Sequence, residues 1–516
     1  MPHSPTPEQL EIISAASLPQ SLMISAYAGC AKTSSLEMAA NVIREPTLAL
    51  AFNKKIATEL SGRLPDNFTI RTLNAMGHRV WANSIKGMPI KLDDRKLGKL
   101  ITQTAKEMKL NLLPGEWEGI LATVNHAMML GIVPNSEYWD REPMNPDTED
   151  SWSIAADLAG FDSPNLELCR EILRLNNELS KSGIISFNDQ IYAPTCLGGN
   201  FPQYPRVMVD EAQDLSPLNH RMLELLCQKE SGNLIAVGDP RQAIYQFRGA
   251  DAQSMENLRR LKPEWMDLPL TLTFRCPKEI VARQQSHAPG FRAHESNKRG
   301  QIYYSLSTDP SGEENPDWTW SDVESIATSN DCQSLAILCR NNAPLMSLAF
   351  KLIRRGIGCE VAGRDIGKGL IAMTKKLSPD DGFPITKFES KLTEWQELEE
   401  AKALARDNPY RIDSIRDRAE CLRATMDATQ CRTVGELRAM LEMLFDGGKN
   451  GRKILLSSIH RAKGLEWDCI VHLDPWRIPS KMAKSPSEME QEMNLLYVAE
   501  TRTRNVLILA NLGDFR

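Results

Sequence analysis

No apolar run in these 516 residues is long enough to span a bilayer. The opening Met1-Pro2-His3-Ser4-Pro5 has neither a basic stretch nor an apolar core, so it does not read as a secretory leader. The eleven cysteines form no Cys-x-x-Cys pair and no metal-ligand spacing, which argues against a zinc module or a disulfide framework. These absences predict a cytoplasmic chain in a reducing compartment, with no membrane partner. A long basic tail is also missing and the formal net charge is −6. Any grip on a polyanion must then come from a local basic groove, not from a charged arm. What is present is ordinary for a globular chain: 42% hydrophobic and 25% charged residues. The length exceeds what one core supports and predicts two to four domains.

The most informative stretch is Ala26-Tyr27-Ala28-Gly29-Cys30-Ala31-Lys32-Thr33. It follows the apolar Leu22-Met23-Ile24 and leads into a helical pattern from Ser34 to Val42, the strand–loop–helix context of a phosphate-binding loop. Backbone N–H groups of Ala28, Gly29, Cys30, Ala31 and Ser34 would face phosphates at a helix N-terminus. Lys32 would reach the β- and γ-phosphates of ATP, and the Thr33 hydroxyl would sit on Mg²⁺. The strict pattern has glycine where this chain has Ala26 and Ala31. Alanine costs little at negative φ and more if the loop requires positive φ. Cys30 reads as a small residue, not a nucleophile. By itself the segment could equally be a buried small-residue turn before a helix.

A second segment shifts that balance. Arg206-Val207-Met208-Val209 runs into Asp210-Glu211-Ala212-Gln213-Asp214, so two carboxylates emerge at the C-terminal end of a strand, where open α/β sheets bind ligands. Asp210 suits a magnesium ligand, and Glu211 the group that polarises an attacking water. The plain alternative is a solvated strand end.

Further segments include Gly238-Asp239-Pro240-Arg241-Gln242-Ala243-Ile244-Tyr245-Gln246-Phe247-Arg248, Ser458-Ile459-His460-Arg461-Ala462-Lys463-Gly464-Leu465-Glu466 and Leu495-Leu496-Tyr497-Val498-Ala499-Glu500-Thr501-Arg502. With these the chain resembles the UvrD/Rep/PcrA group of superfamily 1 DNA helicases, through an ordered set of motifs from residue 6 to about 505. The resemblance implies two RecA-like P-loop lobes with parallel sheets, each interrupted by a mainly helical insertion. It also implies roles. Gln9, in Thr6-Pro7-Glu8-Gln9, would read adenine, and Phe274, in Leu272-Thr273-Phe274-Arg275, would stack on it where tyrosine is usual. Glu466 would hold the ribose. Gln242 would sense the γ-phosphate, and Arg275 and Arg502 would touch it. Single-stranded DNA would meet Phe52 and Asn53, Thr72 and His78, Tyr245, Phe247 and Arg248, and His460. Asn74 departs from the histidine usual in Thr72-Leu73-Asn74-Ala75-Met76-Gly77-His78. Asn188-Asp189 after Ile185-Ser186-Phe187 resembles a family segment too, but the segment reads as a helix N-cap, since serine and aspartate accept orphan N–H groups.

Hydrolysis needs positive charge on the departing γ-phosphate. If a second domain supplies the arginines, ATP closes a cleft that hydrolysis reopens. Aromatics such as Phe52 and Phe247 could stack on bases without reading them, as a motor requires; each could instead be a core aromatic. Pattern and motif spacing place the first lobe at 1–84 and 186–268, with a helical insertion at 85–185. The second lobe falls at 269–364 and 451–516, with a charged helical insertion at 365–450. That second insertion is about half the length usual in larger relatives. The Phe52-Asn53-Lys54 and Gly238-Asp239-Pro240 wording leans towards the F-box helicase branch. The expected activity is an ATP-dependent DNA helicase, a DNA-stimulated ATPase that moves on single-stranded DNA and unwinds ss/ds junctions 3′-to-5′, with DNA repair as the expected setting. The alternative is an ATP-gated DNA-sensing subunit of a repair or defence complex, with weak turnover until a protein partner joins it.

Overall fold

Six parallel strands form the first sheet, the four inner ones short, apolar and mostly buried on both faces and the two outer ones partly exposed. They are β1 (Ser21–Ala26), β2 (Thr47–Ala51), β3 (Phe68–Thr72), β4 (Arg206–Val209), β5 (Asn233–Gly238) and β6 (Trp265–Leu270), in the spatial order β3-β2-β4-β5-β1-β6. The computed structural model describes residues 4–51, 53–85, 87–112, 114–135, 139, 141–159, 161, 164–244, 253–305, 334–405, 409–446 and 454–515. The order sets β4, β5 and β1 side by side with parallel registers. Their C-terminal ends therefore deliver the acidic motif, the Gly238-Asp239 turn and the phosphate loop to one edge of the sheet. Val207, Val209, Leu234, Ala236 and Met23 form the core of one face.

Between β3 and β4 come the helices Lys96–Glu107, Pro114–Leu130, Glu149–Ala159 and Leu166–Lys181. They enclose a separate core built on Ile101, Val124, Trp152, Leu168 and Ile172, all fully buried. The helix Leu166–Lys181 shows why: Leu168, Cys169, Ile172 and Leu173 recur at helical spacing and are all buried.

The second sheet also has six parallel strands: β7 (Gln301–Tyr304), β8 (Leu335–Cys339), β9 (Cys359–Val361), β10 (Ile454–Ser458), β11 (Trp467–Leu473) and β12 (Thr503–Ala510). Their order is β7-β12-β11-β8-β10-β9. Between β9 and β10 come Arg364–Leu377, Ile385–Ala405, Pro409–Thr429 and Val434–Asp446. These helices share one core with the sheet, since Phe388, Leu392, Leu422 and Leu441 pack with Ile337, Leu456 and Val471. A buried polar clamp fixes the same junction. Asp417 accepts the Asn342 and Ala343 N–H groups at 2.8 and 2.9 Å, and Arg340 pairs with Asp413 at 2.9 Å and Glu492 at 2.8 Å.

The chain divides into two units, one comprising Met1–Ala26 and Ala31–Leu270, the other Tyr27–Cys30 and Thr271–Arg516. Each holds one six-stranded parallel sheet, giving the α/β class expected. Among the described residues no helix is long and apolar enough to cross a membrane.

Candidate functional site

The phosphate loop leaves β1 and enters a helix at Lys32, two residues earlier than the pattern predicts (Lys32–Ala40). Lys32 and Thr33 are thus in the first turn, where orphan N–H groups favour an anion. Ala31, the residue before the helix, has φ 55° and ψ 41° and makes no side-chain cap. Of the two cases open at this position the costly one is realised, because alanine bears a left-handed conformation that glycine takes freely. Replacing Ala31 with glycine should raise the stability of the first unit by ~1 kcal/mol in urea titration. Were φ negative in solution, the same change would lower stability by a similar amount, so the sign decides. At Gly29, φ is 70° and an added Cβ would lie 2.5 Å from the Arg275 Cβ. No larger residue fits there. Within the same unit the Ala28 N–H donates to the Tyr497 hydroxyl at 2.8 Å, and the Phe274 N–H donates to the Gly29 carbonyl at 3.0 Å.

Lys32 Nζ lies 2.7 Å from Glu211 Oε2. Burial alone would lower the lysine's pKa, but Glu211, Asp210 and Asp239 outweigh it and raise it, keeping the ammonium charged. The Thr33 hydroxyl donates to Asp210 Oδ2 at 3.4 Å. Asp210 is only 5% exposed, and its carboxyl is pushed up to about 6, by burial first and by the neighbouring Glu211 charge next. A divalent cation between Thr33 and Asp210 would offset both penalties, so this pair fits Mg²⁺. Among the described residues no group of three or more His, Cys, Asp or Glu could hold a metal. Two protein ligands completed by phosphate oxygens and water is the arrangement magnesium favours.

The network continues beyond the predicted residues. Gln213 Nε2 donates to Glu211 Oε2 at 2.5 Å, and Gln213 Oε1 accepts the Asp239 N–H at 3.0 Å. Gln242 Nε2 donates to Asp239 Oδ2 at 2.6 Å. Burial raises the pKa of Asp239, against Lys32 and the Gln242 hydrogen bond, which lower it. Asp239 and Gln213 stand inside motif segments of the sequence, yet nothing in their spacing reveals that their side chains join the two acids to Gln242.

Gln9 is 5% exposed and forms a capping box with Thr6. Its Nε2 donates to Ser35 Oγ at 3.1 Å, while the predicted Ser34 is exposed. In the second unit Arg275 and Arg504 both pair with Glu466. Burial opposes ionisation of Glu466, but these arginines outweigh it and hold its pKa down. Phe274 lies 4.9 Å from the His294 ring, 31° from parallel. Arg502 is 2% exposed and donates to the Val498 carbonyl. Cys30 is buried.

Of the residues expected to meet DNA, Phe52, Tyr245, Phe247 and Arg248 lie outside the described residues. Asn53 caps the helix Lys54–Ser61 through the Ile56 N–H, and Thr72 caps Leu73–Ser84 through the Ala75 N–H. His78 is on that second helix and His460 on Ile459–Ala462, each half-buried. The N-cap expected from the serine and aspartate of Ser186-Phe187-Asn188-Asp189 is formed by those two residues. Asn188 makes no cap bond; instead Ser186 Oγ accepts the Asp189 N–H at 3.3 Å, and Asp189 Oδ2 accepts the Ser186 N–H at 2.7 Å. This turn presents Phe187, which is 59% exposed. Its N–H donates to Asp94 and its carbonyl accepts from Asn74 Nδ2, at 3.0 and 3.1 Å. An aromatic ring held outwards by two backbone bonds beside the Leu73–Ser84 helix is a base-stacking candidate that sequence reading passes over. The signal for it is the substitution at Asn74, whose amide fixes this turn.

A family model described as the UvrD/REP helicase N-terminal domain matches residues 6–263, and one described as the UvrD-like helicase C-terminal domain matches 380–512. The chain is 26% identical over 328 residues to F-box DNA helicase protein 1 of Schizosaccharomyces pombe, covering 60% of this chain and 34% of that protein. It is 26% identical over 336 residues to ATP-dependent DNA helicase UvrD2 of Mycobacterium tuberculosis (strain ATCC 25618 / H37Rv), covering 60% of this chain and 47% of that one. A 233-residue stretch is 25% identical to ATP-dependent DNA helicase UvrD1 of Mycobacterium tuberculosis (strain CDC 1551 / Oshkosh), 40% of this chain and 30% of the relative. The matches thus span less than half the length of these relatives.

Proposed function

The chain belongs to the UvrD/REP helicase family, and from that premise we propose that it is an ATP-dependent DNA helicase that moves on single-stranded DNA, in the 3′-to-5′ direction, and opens ss/ds junctions. The observation that carries the ATPase half is the convergence of Lys32, Thr33, Asp210, Glu211 and Gln242 at the C-terminal ends of β1, β4 and β5. Lys32 and the first-turn N–H groups hold the β- and γ-phosphates. Thr33 and Asp210 would hold Mg²⁺, which would neutralise phosphate charge when bound. Glu211 accepts a hydrogen bond from the attacking water and aligns it, and Gln242 responds to the γ-phosphate. Gln9 and Phe274 take the adenine and Glu466 the ribose. Arg275 and Arg502, both in the second unit, are the cations assigned to the γ-phosphate. DNA is held by Asn53, Thr72, His78 and His460, with Phe187 as a stacking platform worth ~1–3 kcal/mol per base.

The strained Ala31 favours a second reading, an ATP-gated DNA-sensing component that turns over slowly without a protein partner. Steady-state ATPase rates with and without single-stranded DNA separate the two. Strong stimulation by DNA, lost by at least ~100-fold in Lys32→Ala, is the expected result. ATP binding with little turnover, unchanged by DNA, supports the sensing role. Full activity in Lys32→Ala removes the phosphate-loop assignment.

A further inference from the structure

We propose that Gln213 is a positioning residue for the water-aligning Glu211, and that it ties Glu211 to the γ-phosphate sensor Gln242 through Asp239. The inference rests on the ATP-hydrolysis reading and adds to it a residue that has no other task in that reaction.

Four observations carry it. Gln213 is 2% exposed, so its amide must be satisfied within the protein, and both of its ends are. The donor end meets Glu211 Oε2 at 2.5 Å and the acceptor end meets the Asp239 N–H at 3.0 Å. The backbone is shaped to permit this span. Glu211 has φ 54°, a left-handed turn that non-glycine residues adopt at a cost. At Gly238 an added Cβ would lie 2.6 Å from Gln213 Oε1, so a side chain there would displace the amide. Lys32 and Gln213 both donate to Glu211 Oε2. With Lys32 assigned to phosphate oxygens, Gln213 remains as a donor that orients the carboxylate, its amide also lying 3.5 Å from Asp214 Oδ2. Finally, Asp239 receives Gln213 on its N–H and Gln242 on its carboxylate. A shift of Gln242 towards or away from phosphate is thereby transmitted to Glu211 through three hydrogen bonds and two residues, Asp239 and Gln213. Gln213 is the buried link between Glu211 and Asp239, because its amide is held at one end by Glu211 and at the other by the Asp239 N–H.

The test is kinetic. Gln213→Met keeps the side-chain volume and removes both amide ends. It should lower kcat for ATP by ~10- to 100-fold, the scale of lost orienting contacts, with KM and the affinity for a fluorescent ATP analogue unchanged. In a Glu211→Ala background, followed by single-turnover hydrolysis of radiolabelled ATP, the same substitution should cost nothing further, because the carboxylate it acts through is gone. A loss expressed in KM, or one that persists undiminished in the Glu211→Ala background, overturns the proposal and makes Gln213 a packing residue. If the methionine variant fails to fold, Gln213→Asn replaces it. That change keeps an uncharged amide but shortens it by one methylene, so it no longer spans Glu211 and the Asp239 N–H, with the same kinetic prediction. Equal turnover in wild type and Lys32→Ala overturns the underlying reading as well, and that control alone identifies this case.

Discussion

Glu211→Gln should lower kcat for ATP by ~10²- to 10⁴-fold, the range for removing a general base, while ATP and DNA stay bound. Glutamine occupies nearly the same volume and can still accept from Lys32 and Gln213, which meet Glu211 Oε2 at 2.7 and 2.5 Å. What disappears is the negative charge that draws a proton from water. Binding should survive for an electrostatic reason. The Asp210 carboxyl is pushed up to about 6 by burial and then by Glu211. Removing the Glu211 charge lifts the second penalty, so Asp210 ionises more readily and its hold on Mg²⁺ is kept. Lys32 loses the largest of the carboxylate attractions that raise its pKa and is freer to turn to phosphate. The variant should accumulate on single-stranded DNA in the presence of ATP, read by filter binding beside a coupled ATPase assay. Normal turnover would take the water-aligning role away from Glu211.

The α/β architecture is legible in the sequence because parallel strands buried on both faces read as short apolar runs, as in Leu22-Met23-Ile24 and Arg206-Val207-Met208-Val209. The adjacency of β4, β5 and β1 is not, since strand order depends on long-range pairing that local pattern does not encode. The acids and the lysine stand out because their chemistry is confined to strand ends and a helix start. Gln213 and Asp239 do not, because a neutral amide and a turn aspartate carry no signal until their partners are known. The pattern puts the helix start at Ser34, two residues late, for a similar reason. Alanine at position 31 gives no local sign of a positive φ, and with that φ the first turn closes on Lys32. The cap is legible too, because serine and aspartate accept orphan N–H groups, and Ser186 and Asp189 do cap each other. Nothing in the sequence shows that the Asp189 oxygen closing this cap also meets a buried lysine 93 residues earlier in the chain.

That lysine should be among the most sensitive positions outside the nucleotide site. Lys96 Nζ lies 2.8 Å from Asp189 Oδ2, with side-chain exposures of 1% and 0%. It also meets the Asn176 carbonyl, Ser180 Oγ and the Ile184 carbonyl at 2.8 to 3.0 Å. Asp189 Oδ1 accepts from Asn176 Nδ2 at 2.8 Å. Burial lowers the Lys96 pKa more than Asp189 raises it, so the ion pair adds little net stability while its rupture is costly. Lys96→Met preserves the bulk but strands the Asp189 carboxylate, and should cost ~3–5 kcal/mol in urea titration. Adding Asp189→Leu should recover part of that loss, because no buried charge is then left alone. The functional consequence separates the pair's two roles. Asp189 closes the Ser186 turn that presents Phe187, so the double variant, although repacked, loses that turn. It should bind single-stranded DNA more weakly, by up to the ~1–3 kcal/mol of one stacked base, and retain DNA-independent ATP turnover. A double variant as unstable as Lys96→Met would place the cost in packing, and unchanged DNA affinity would remove Phe187 from the DNA surface.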